Sequence, residues 1–259
     1  MTRGIQGYFE LATQAAREAG TLIRAGWSMR PQIEVKQDDS LVTELDLAAE
    51  ARIREILGSE LNILGEEKGA SAGEGEALWW YVDPVDGTSN LAHRFPWISI
   101  SIALLEAGKP QLAVVYNPMS EHFFSAQRGK GAFLNGLPIA VSGCERLEQA
   151  LLATGFPVGP HRDGVLPNLE NFARMATRCH SIRRAGSAAL DLAAVAAGWF
   201  DGFWELGLHP WDSAAGWLLV EEAGGRVSLV DGTDYDPHVP QIVASNGRLH
   251  AQMMSLLSV

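Results

Sequence analysis

Two carboxylates three residues apart follow a buried strand in the first half of the chain. Asp83 and Asp86 come directly after the apolar run 78–82, and a proline and a glycine favour a tight turn around them. Thr88 and Ser89 are residue types that cap helices, so the turn is predicted to open a short helix with free backbone N–H groups. Carboxylates beside such groups suit a divalent cation and a phosphate bound together.

Other acidic residues are predicted to lie at the ends of strands or the starts of helices. Glu66 follows the short strand 62–64, Asp212 opens a helix, and Asp46 begins another helix where Thr43 completes a capping box. Layered α/β proteins bind ligands at such positions. If Glu66 and Asp212 converge with the two carboxylates of the turn, their repulsion requires cations. Oxygen donors without a histidine or cysteine cluster favour Mg²⁺ or Mn²⁺ over Zn²⁺.

Each of these acids also has an ordinary structural interpretation when taken alone. Asp212 is a common N-cap type, Asp46 is stabilised by the helix dipole in a first turn, and Glu66 with Glu67 is typical of a solvated loop. A purely structural acidic domain would keep these carboxylates apart. The functional hypothesis therefore depends on their convergence.

Composition argues against several classes of protein. The chain has 259 residues, is 47% hydrophobic and carries a net charge of -11, which disfavours a surface that coats nucleic acid. No run approaches the roughly 18 apolar residues of a membrane span, and the N-terminal residues lack the pattern of a signal peptide. The two cysteines form no metal-spaced cluster and are typical of a reducing compartment. We expect a cytoplasmic protein without membrane or direct nucleic-acid partners.

The predicted elements divide the chain into two halves. Residues 1–145 contain two helices and an antiparallel meander of strands, and this half carries most of the candidate metal ligands. Residues 146–259 alternate strands with helices, among them an almost wholly apolar helix over 187–197 that is expected to be buried. Because no linker marks the boundary, we expect the halves to pack as one body.

Three motifs resemble, in order and spacing, the signatures of the inositol monophosphatase family, whose members are magnesium-dependent, lithium-sensitive phosphatases. They are the acidic pair 66–67 after a strand, the turn 83–90, and the segment 211–216. The similarity covers nearly the whole chain, and segments 186–192 and 201–205 resemble the bacterial members in particular. The resemblance implies an α+β fold, a layered αβαβα sandwich of the sugar-phosphatase type, and a homodimer.

The resemblance also implies which residues bind metal. Glu66, Asp83 and the backbone carbonyl of Val85 would hold one Mg²⁺, and Asp83, Asp86 and Asp212 would hold a second. A third, weaker ion would bind Glu66 and water, so two or three Mg²⁺ are expected, with Mn²⁺ as a substitute. Valine stands where isoleucine or leucine is commoner in the family, which changes nothing if only its carbonyl coordinates.

The remaining implied roles concern the nucleophile and the substrate. Thr88 would orient the attacking water with Asp46 behind it, and Glu67 would support the metal ligands from outside. Backbone N–H groups of Gly87 and Thr88 would bind phosphate, and His209 is expected in a structural position or at the rim of the substrate site. The implied substrate contacts are Val85, Asp86, Gly87, Thr88, Gly186, Ser187, Ala188, Glu205, Asp212 and Arg184.

Arg184 departs from the family, because animal members carry a small polar residue there. It could recognise a second anionic group or pack in a dimer interface, and it leaves the identity of the alcohol open.

The implied function is hydrolysis of myo-inositol 1-phosphate or a similar polyol phosphate by a metal-activated water, without a phosphoenzyme. Alternatives are the same chemistry on histidinol phosphate, fructose 1,6-bisphosphate, NADP or 3′-phosphoadenosine phosphates, or a non-enzymatic interaction role on the same fold. The run Gly-Thr-Ser-Asn-Leu over 87–91 is nearer to the inositol enzymes than to the nucleotide-phosphate branch, which tends to carry Lys-Glu-Phe after Gly-Thr. Loss of ligands would favour the non-enzymatic role, and every expected ligand type is present.

Overall fold

A computed structural model describes residues 3–29, 31–36, 40–73, 75–157 and 165–258. Its first layer is a pair of helices, α1 (Ile5–Gly26) and α2 (Glu44–Leu57). Small residues on the buried face of α1 allow a close approach to the sheet beneath, and at Gly20 an added Cβ would lie 2.4 Å from the ring of Tyr116. The predicted capping box of Thr43 and Asp46 at the start of α2 is confirmed.

The second layer is a sheet of eight strands. In chain order they are β3 (Leu61–Gly65), β4 (Gly69–Ser71), β5 (Gly75–Asp86), β6 (Ser99–Glu106), β7 (Lys109–Asn117), β8 (His122–Gln127), β9 (Ala132–Leu134) and β10 (Leu137–Ile139). Their spatial order is β10-β9-β8-β7-β6-β5-β3-β4, and β3 runs parallel to β5 while the other neighbours are antiparallel. The predicted meander is confirmed in β6 to β10. A separate two-stranded ribbon pairs β1 (Ile33–Val35) with β2 (Leu41–Thr43).

The second half of the chain forms a five-stranded sheet. Its strands are β11 (Leu151–Thr154), β12 (Ser181–Arg183), β13 (Gly202–Leu206), β14 (Arg226–Ser228) and β15 (Gln241–Ser245). Their spatial order is β12-β11-β13-β15-β14, and β11 runs parallel to both β12 and β13.

A short helix, α3 (Thr88–His93), connects β5 to β6 in the larger sheet.

Two helices lie between the sheets and form the middle layer. Every residue of α5 (Ala188–Ala196) is buried, as its almost wholly apolar sequence predicts, and α6 (Pro210–Glu222) is buried over most of its length. The core around them contains side chains from both sheets. Helices α4 (Val165–Ala176) and α7 (His250–Met254) contribute to a third core on the other side of the five-stranded sheet.

The layer order helices–sheet–helices–sheet–helices confirms the expected αβαβα sandwich of the α+β class. The division of the chain at residue 145 stays a prediction. Among the described residues, no helix combines the length and apolarity that crossing a membrane requires.

Candidate active site

Residues of all three motifs line one cleft with a volume of about 900 Å³. Glu66 follows β3, Asp83 and Asp86 lie at the end of β5, and Asp212 lies in the first turn of α6. The convergence on which the functional hypothesis depends is therefore observed. The purely structural alternative, in which these carboxylates lie apart, is wrong.

The end of β5 bends where the acidic turn begins. Pairing with β6 shifts register between Asp83 and Asp86, and Asp83 Oδ1 accepts a hydrogen bond of 3.0 Å from the N–H of Val85. Gly87 has a φ of +96°, and an added Cβ there would lie 3.1 Å from the carbonyl oxygens of Trp97 and Gly186. Only glycine suits this position.

The prediction that Thr88 and Ser89 cap the short helix is wrong. Gly87 occupies the N-cap of α3, and no side chain bonds to the helix there. The hydroxyl of Thr88 is turned instead toward Asp46, because Asp46 Oδ1 offers it an acceptor at 2.8 Å.

Asp46 is fully buried and holds Thr88 in a fixed orientation. Its other oxygen, Oδ2, accepts from the N–H and the hydroxyl of Thr43 at 2.9 and 2.5 Å. Burial raises the pKa of Asp46, and the hydrogen bonds from Thr43 and Thr88 oppose that rise. The carbonyl of Val85 lies 3.2 Å from the Thr88 hydroxyl as a second acceptor. Since the single hydroxyl proton is directed at these acceptors, the oxygen of Thr88 can accept a hydrogen bond from a water molecule.

The carboxylates of the cleft repel one another. Burial raises the pKa of Asp83 well above its usual range, and the charges of Glu66, Asp86 and Asp212 raise it further. Burial, followed by repulsion from Asp212, raises the pKa of Asp86 to about 7. Burial also raises the pKa of Glu66 to about 7, although Lys36 opposes the shift. Bringing these groups together therefore costs free energy that a bound cation would recover.

Lys36 is a site residue that the sequence analysis missed. Its Nζ lies 2.9 Å from Glu66 Oε1 and 2.8 Å from Glu67 Oε1. Burial alone would lower the pKa of Lys36, but the two glutamates raise it above its ordinary value. Burial raises the pKa of Glu67, again opposed by Lys36. In the chain, Lys36 directly follows the exposed strand β1, and nothing in the neighbouring sequence indicates this contact.

The interpretation of Asp212 as an N-cap is wrong in detail. His209 is the N-cap of α6 and Asp212 is its third residue, where Oδ2 accepts a hydrogen bond of 2.8 Å from the N–H of His209. Proline at the first helical position fits this start. The ring of His209 stacks on Trp211 at 4.8 Å and lines the cleft with a largely exposed side chain, a rim position as expected.

The start of α5 closes another wall of the cleft. Ser187 is its N-cap, and Ser187 Oγ donates to Asp86 Oδ2 at 2.5 Å. The N–H of Ala189 donates to the same oxygen at 2.8 Å. Gly186 has a φ of +91°, and Ala188 lines the cleft beside it. One oxygen of Asp86 is therefore fixed by α5.

Arg184, Asp191 and Glu205 line the cleft beyond this wall. Burial raises the pKa of Glu205 well above its usual range, repulsion from Asp191 and Asp212 adds to the rise, and Arg184 opposes it. Glu205 lies so close to Gly155 that a Cβ there would meet its carboxylate at 2.1 Å. Arg184 itself is exposed and donates to the carbonyl of Phe156 at 3.4 Å.

Asp191 is the second site residue that the sequence analysis missed. It is buried, accepts a hydrogen bond of 2.9 Å from Trp97 Nε1, and has a pKa that burial raises well above its usual range. The sequence could have indicated Asp191 as a site residue, because it is the single charged residue of an otherwise apolar helix that is expected to be buried.

The donor set fits a hard divalent cation. The candidate donors are the backbone carbonyl oxygen of Val85 and the carboxylate oxygens of Glu66, Asp83, Asp86 and Asp212, all residues that line the cleft. Oxygen atoms of these kinds are the ligands that Mg²⁺ prefers. As the side chains stand in the described part of the chain, no three acidic, histidine or cysteine side chains enclose a common metal position. Which of these oxygens coordinate therefore stays a prediction, supported by the donor chemistry and the mutual repulsion.

Comparisons with known proteins show to which family the chain belongs. The chain is 42% identical to a Nus factor SuhB of Pseudomonas aeruginosa, covering 98% of this chain and 96% of that one. It is 40% identical to an inositol-1-monophosphatase of Synechocystis, covering 98% and 90%. The crystal structure of the extragenic suppressor protein SuhB of Bartonella henselae superposes with a TM-score of 0.92 at 37% identity, covering 96% and 98%.

A further solved structure is an IMPase/NADP phosphatase complexed with Mg²⁺ and phosphate. It superposes with a TM-score of 0.84 at 27% identity, covering 98% of this chain and 96% of that one. A model of the inositol monophosphatase family matches residues 6–258. With its fold and nearly its whole length in agreement, the chain belongs to the inositol monophosphatase family.

Proposed function

We propose that the protein is a Mg²⁺-dependent phosphomonoesterase that hydrolyses myo-inositol 1-phosphate or a similar polyol phosphate. The observation that carries the proposal is the hydrogen bond from Thr88 to buried Asp46, beside a cleft that four mutually repelling carboxylates line. Family membership supports phosphatase chemistry, and one relative in the family was solved with Mg²⁺ and phosphate.

One end of the cleft, called the acidic end, is formed by Glu66, Asp83, Asp86 and Asp212. Each of its residues has a proposed role. Asp83, Glu66 and the carbonyl of Val85 would hold one cation, and Asp83, Asp86 and Asp212 would hold a second. Bound divalent cations would neutralise the phosphate, acidify a water molecule and stabilise the leaving oxygen. Glu67 holds Lys36 near Glu66, and Lys36 there balances part of the negative charge.

The protein groups around the nucleophile act by orientation. Asp46 accepts a hydrogen bond from the hydroxyl of Thr88, so the Thr88 oxygen is left to accept a hydrogen bond from the attacking water, whose lone pair then faces phosphorus. The backbone N–H groups of Gly87 and Thr88 lie at the start of α3, where helix N–H groups have no partner within the helix, and they bind phosphate oxygens. The leaving alcohol then faces the wall made by Gly186, Ser187 and Ala188.

The other end of the cleft, called the alcohol end, is lined by Arg184, Asp191 and Glu205. The charges of these side chains favour a neutral polyol as the leaving alcohol. The guanidinium of Arg184 interacts with the carboxyl groups of both Asp191 and Glu205, so its charge is already opposed. A second phosphate, as in fructose 1,6-bisphosphate or NADP, would meet these buried acids. A hydroxyl-rich ring would instead find hydrogen-bond partners at Glu205 and Asp191.

The test is phosphate release by the purified protein with Mg²⁺ on a panel of four substrates. We expect inositol 1-phosphate to exceed histidinol phosphate, fructose 1,6-bisphosphate and NADP in kcat/KM, and chelation of the metal to abolish all four. Hydrolysis of none of them would overturn the phosphatase proposal. A preference for a bisphosphate would overturn the polyol assignment alone. Lithium added to the same assay tests the expected inhibition.

A second candidate is a role like that of the relatives named Nus factors, which suggests a function linked to transcription. If this second role is independent of catalysis, a catalytically inactive variant such as Asp83→Asn should still substitute for the SuhB relative in a Pseudomonas aeruginosa strain that lacks that relative. If wild-type protein replaces the relative in that strain and Asp83→Asn does not, the role depends on catalysis. The homodimer and the cytoplasmic location stay predictions, and light scattering on the purified protein tests the former.

A further inference from the structure

A buried ion pair on α2 lies directly behind the turn that carries Glu66. Glu50 is fully buried, and its Oε2 accepts a hydrogen bond of 2.7 Å from the N–H of Glu67. Its Oε1 accepts from the N–H of Lys68 at 3.2 Å and from Arg54 Nε at 2.6 Å. A single carboxylate thus binds two consecutive backbone N–H groups of the turn.

Arg54 extends this contact along the same segment. Its Nη2 donates to the carbonyl of Gly69 at 2.6 Å, and its Nη1 donates to Ser71 Oγ at 2.8 Å. At Gly65 an added Cβ would lie 2.7 Å from both Arg54 Nη2 and Glu50 Oε1. The segment 65–71 therefore contacts the Glu50–Arg54 pair along its length. Gly65 allows the close approach because it has no side chain.

The same face of α2 also reaches the nucleophile end of the site. Asp46, Glu50 and Arg54 follow one another at intervals of four residues, which places them on one side of the helix. Asp46 holds the hydroxyl of Thr88, and Glu50 holds the backbone of Glu67. One rigid helix thus contacts both the turn of Glu66 and the residue proposed to orient the water.

We propose that Glu50, held by Arg54, is a positioning residue that fixes where Glu66 presents its carboxylate to a divalent cation. The inference rests on the proposed function. Glu66 is itself held from the opposite side, because its N–H donates to the carbonyl of Val82 in β5 at 3.1 Å. With β5 on one side and Glu50 on the other, the backbone around Glu66 has one conformation. Partners that orient metal ligands from outside commonly change metal affinity when they are lost.

The test is Glu50→Gln in the full chain. Glutamine keeps the size of the side chain, but its amide nitrogen must face either a backbone N–H or Arg54, so one hydrogen bond is replaced by a contact between two donors. We expect the dissociation constant for Mn²⁺, measured by electron paramagnetic resonance, to rise about tenfold. The Mg²⁺ concentration for half-maximal activity should rise in parallel, while kcat at saturating Mg²⁺ and KM for inositol 1-phosphate stay within about twofold.

Glu18→Gln is the matched control. Glu18 on α1 pairs with Arg52 of α2, at 2.7 Å from its Nε, so the same substitution breaks a Glu–Arg contact on the same helix away from the turn. It should leave Mn²⁺ affinity unchanged. Should Glu50→Gln fail to fold, Arg54→Lys serves instead, because it keeps a cation beside Glu50 but loses the fork that joins Glu50 to Gly69.

Two results would overturn the inference. One is a folded Glu50→Gln protein with wild-type Mn²⁺ affinity, and the other is a loss of kcat that excess Mg²⁺ does not restore. A wild-type protein that binds no Mn²⁺ and hydrolyses no phosphomonoester would instead overturn the proposed function, and with it the basis of the inference. The wild-type measurement therefore separates the two failures.

Discussion

The two ends of the cleft differ in the charges that they bring together. At the acidic end, Glu66, Asp83, Asp86 and Asp212 raise one another's energy by repulsion, and Lys36 balances only the side of Glu66 and Glu67. At the alcohol end, Arg184 opposes the charges of the acids around it. The acidic end is therefore organised for a ligand that brings positive charge, and the alcohol end for selection by hydrogen bonding.

Removing one carboxylate from the acidic end should have the largest effect. We expect Asp83→Asn to lower kcat/KM at least about a thousandfold on every phosphomonoester, because the proposed bridge between two cations is lost. The same substitution should raise the thermal midpoint of the metal-free protein, since it removes a buried charge that repels its neighbours. Phosphate release and thermal unfolding measure the two effects. Asp234→Asn, on the exposed surface, is the control, and equal activity of both variants would contradict the metal-bridge role.

Removing the water-orienting hydroxyl should have a smaller effect and leave metal binding intact. We expect Thr88→Ala to lower kcat about a hundredfold with unchanged Mn²⁺ affinity, because the water loses its acceptor while the carboxylates remain. Thr88→Ser, which keeps the hydroxyl, should retain most activity. Weakened Mn²⁺ binding in Thr88→Ala would instead place Thr88 among the metal ligands.

A change at the alcohol end should alter selectivity rather than chemistry. We expect Glu205→Ala to raise KM for inositol 1-phosphate about tenfold through lost hydrogen bonds, with little change on a simple aryl phosphate. Glu205→Gln keeps the size of the side chain and its capacity for hydrogen bonds, and should have the smaller effect. Equal losses on both substrates would show that the two ends are not separable.

The smallest expected effect is a pH dependence of stability that originates at the acidic end. Glu66 and Asp86 have pKa values raised to about 7, so the folded protein keeps protons that the unfolded chain releases near pH 4 to 5. Their contribution to stability is fully present below the ordinary carboxyl pKa and is lost as the pH rises through 7. The metal-free protein should therefore unfold several degrees lower at pH 8 than at pH 5. Added Mg²⁺ should remove most of this difference, and Asp83→Asn should show a flatter profile.

The acidic end could be predicted from the sequence because each of its carboxylates lies in a short local pattern. A strand followed by a turn placed Glu66, Asp83 and Asp86, and a helix start placed Asp212. The capping box at Thr43 is equally local, and the structure has it. Such patterns depend on backbone geometry over a few residues.

What the sequence analysis missed depends on contacts across the fold. Lys36 reaches the glutamates from directly after β1, and Asp191 accepts a hydrogen bond from Trp97, which lies far earlier in the chain. The cap of α3 was mistaken because Asp46 on another helix competes for the hydroxyl of Thr88. In each case a distant partner decided the position of a local side chain.

The position of α6 in the middle layer has a consequence for synthesis. Asp212 and Glu205 emerge from the ribosome long after Glu66, Asp83 and Asp86, and α6 packs in a core that contains side chains from both sheets. A growing polypeptide that has folded its first sheet therefore has three clustered acids without the wall that completes their cleft. Translation must pass Asp212 before the cleft can close around a cation, so a product truncated before α6 should have three of the four acids and an incomplete cleft.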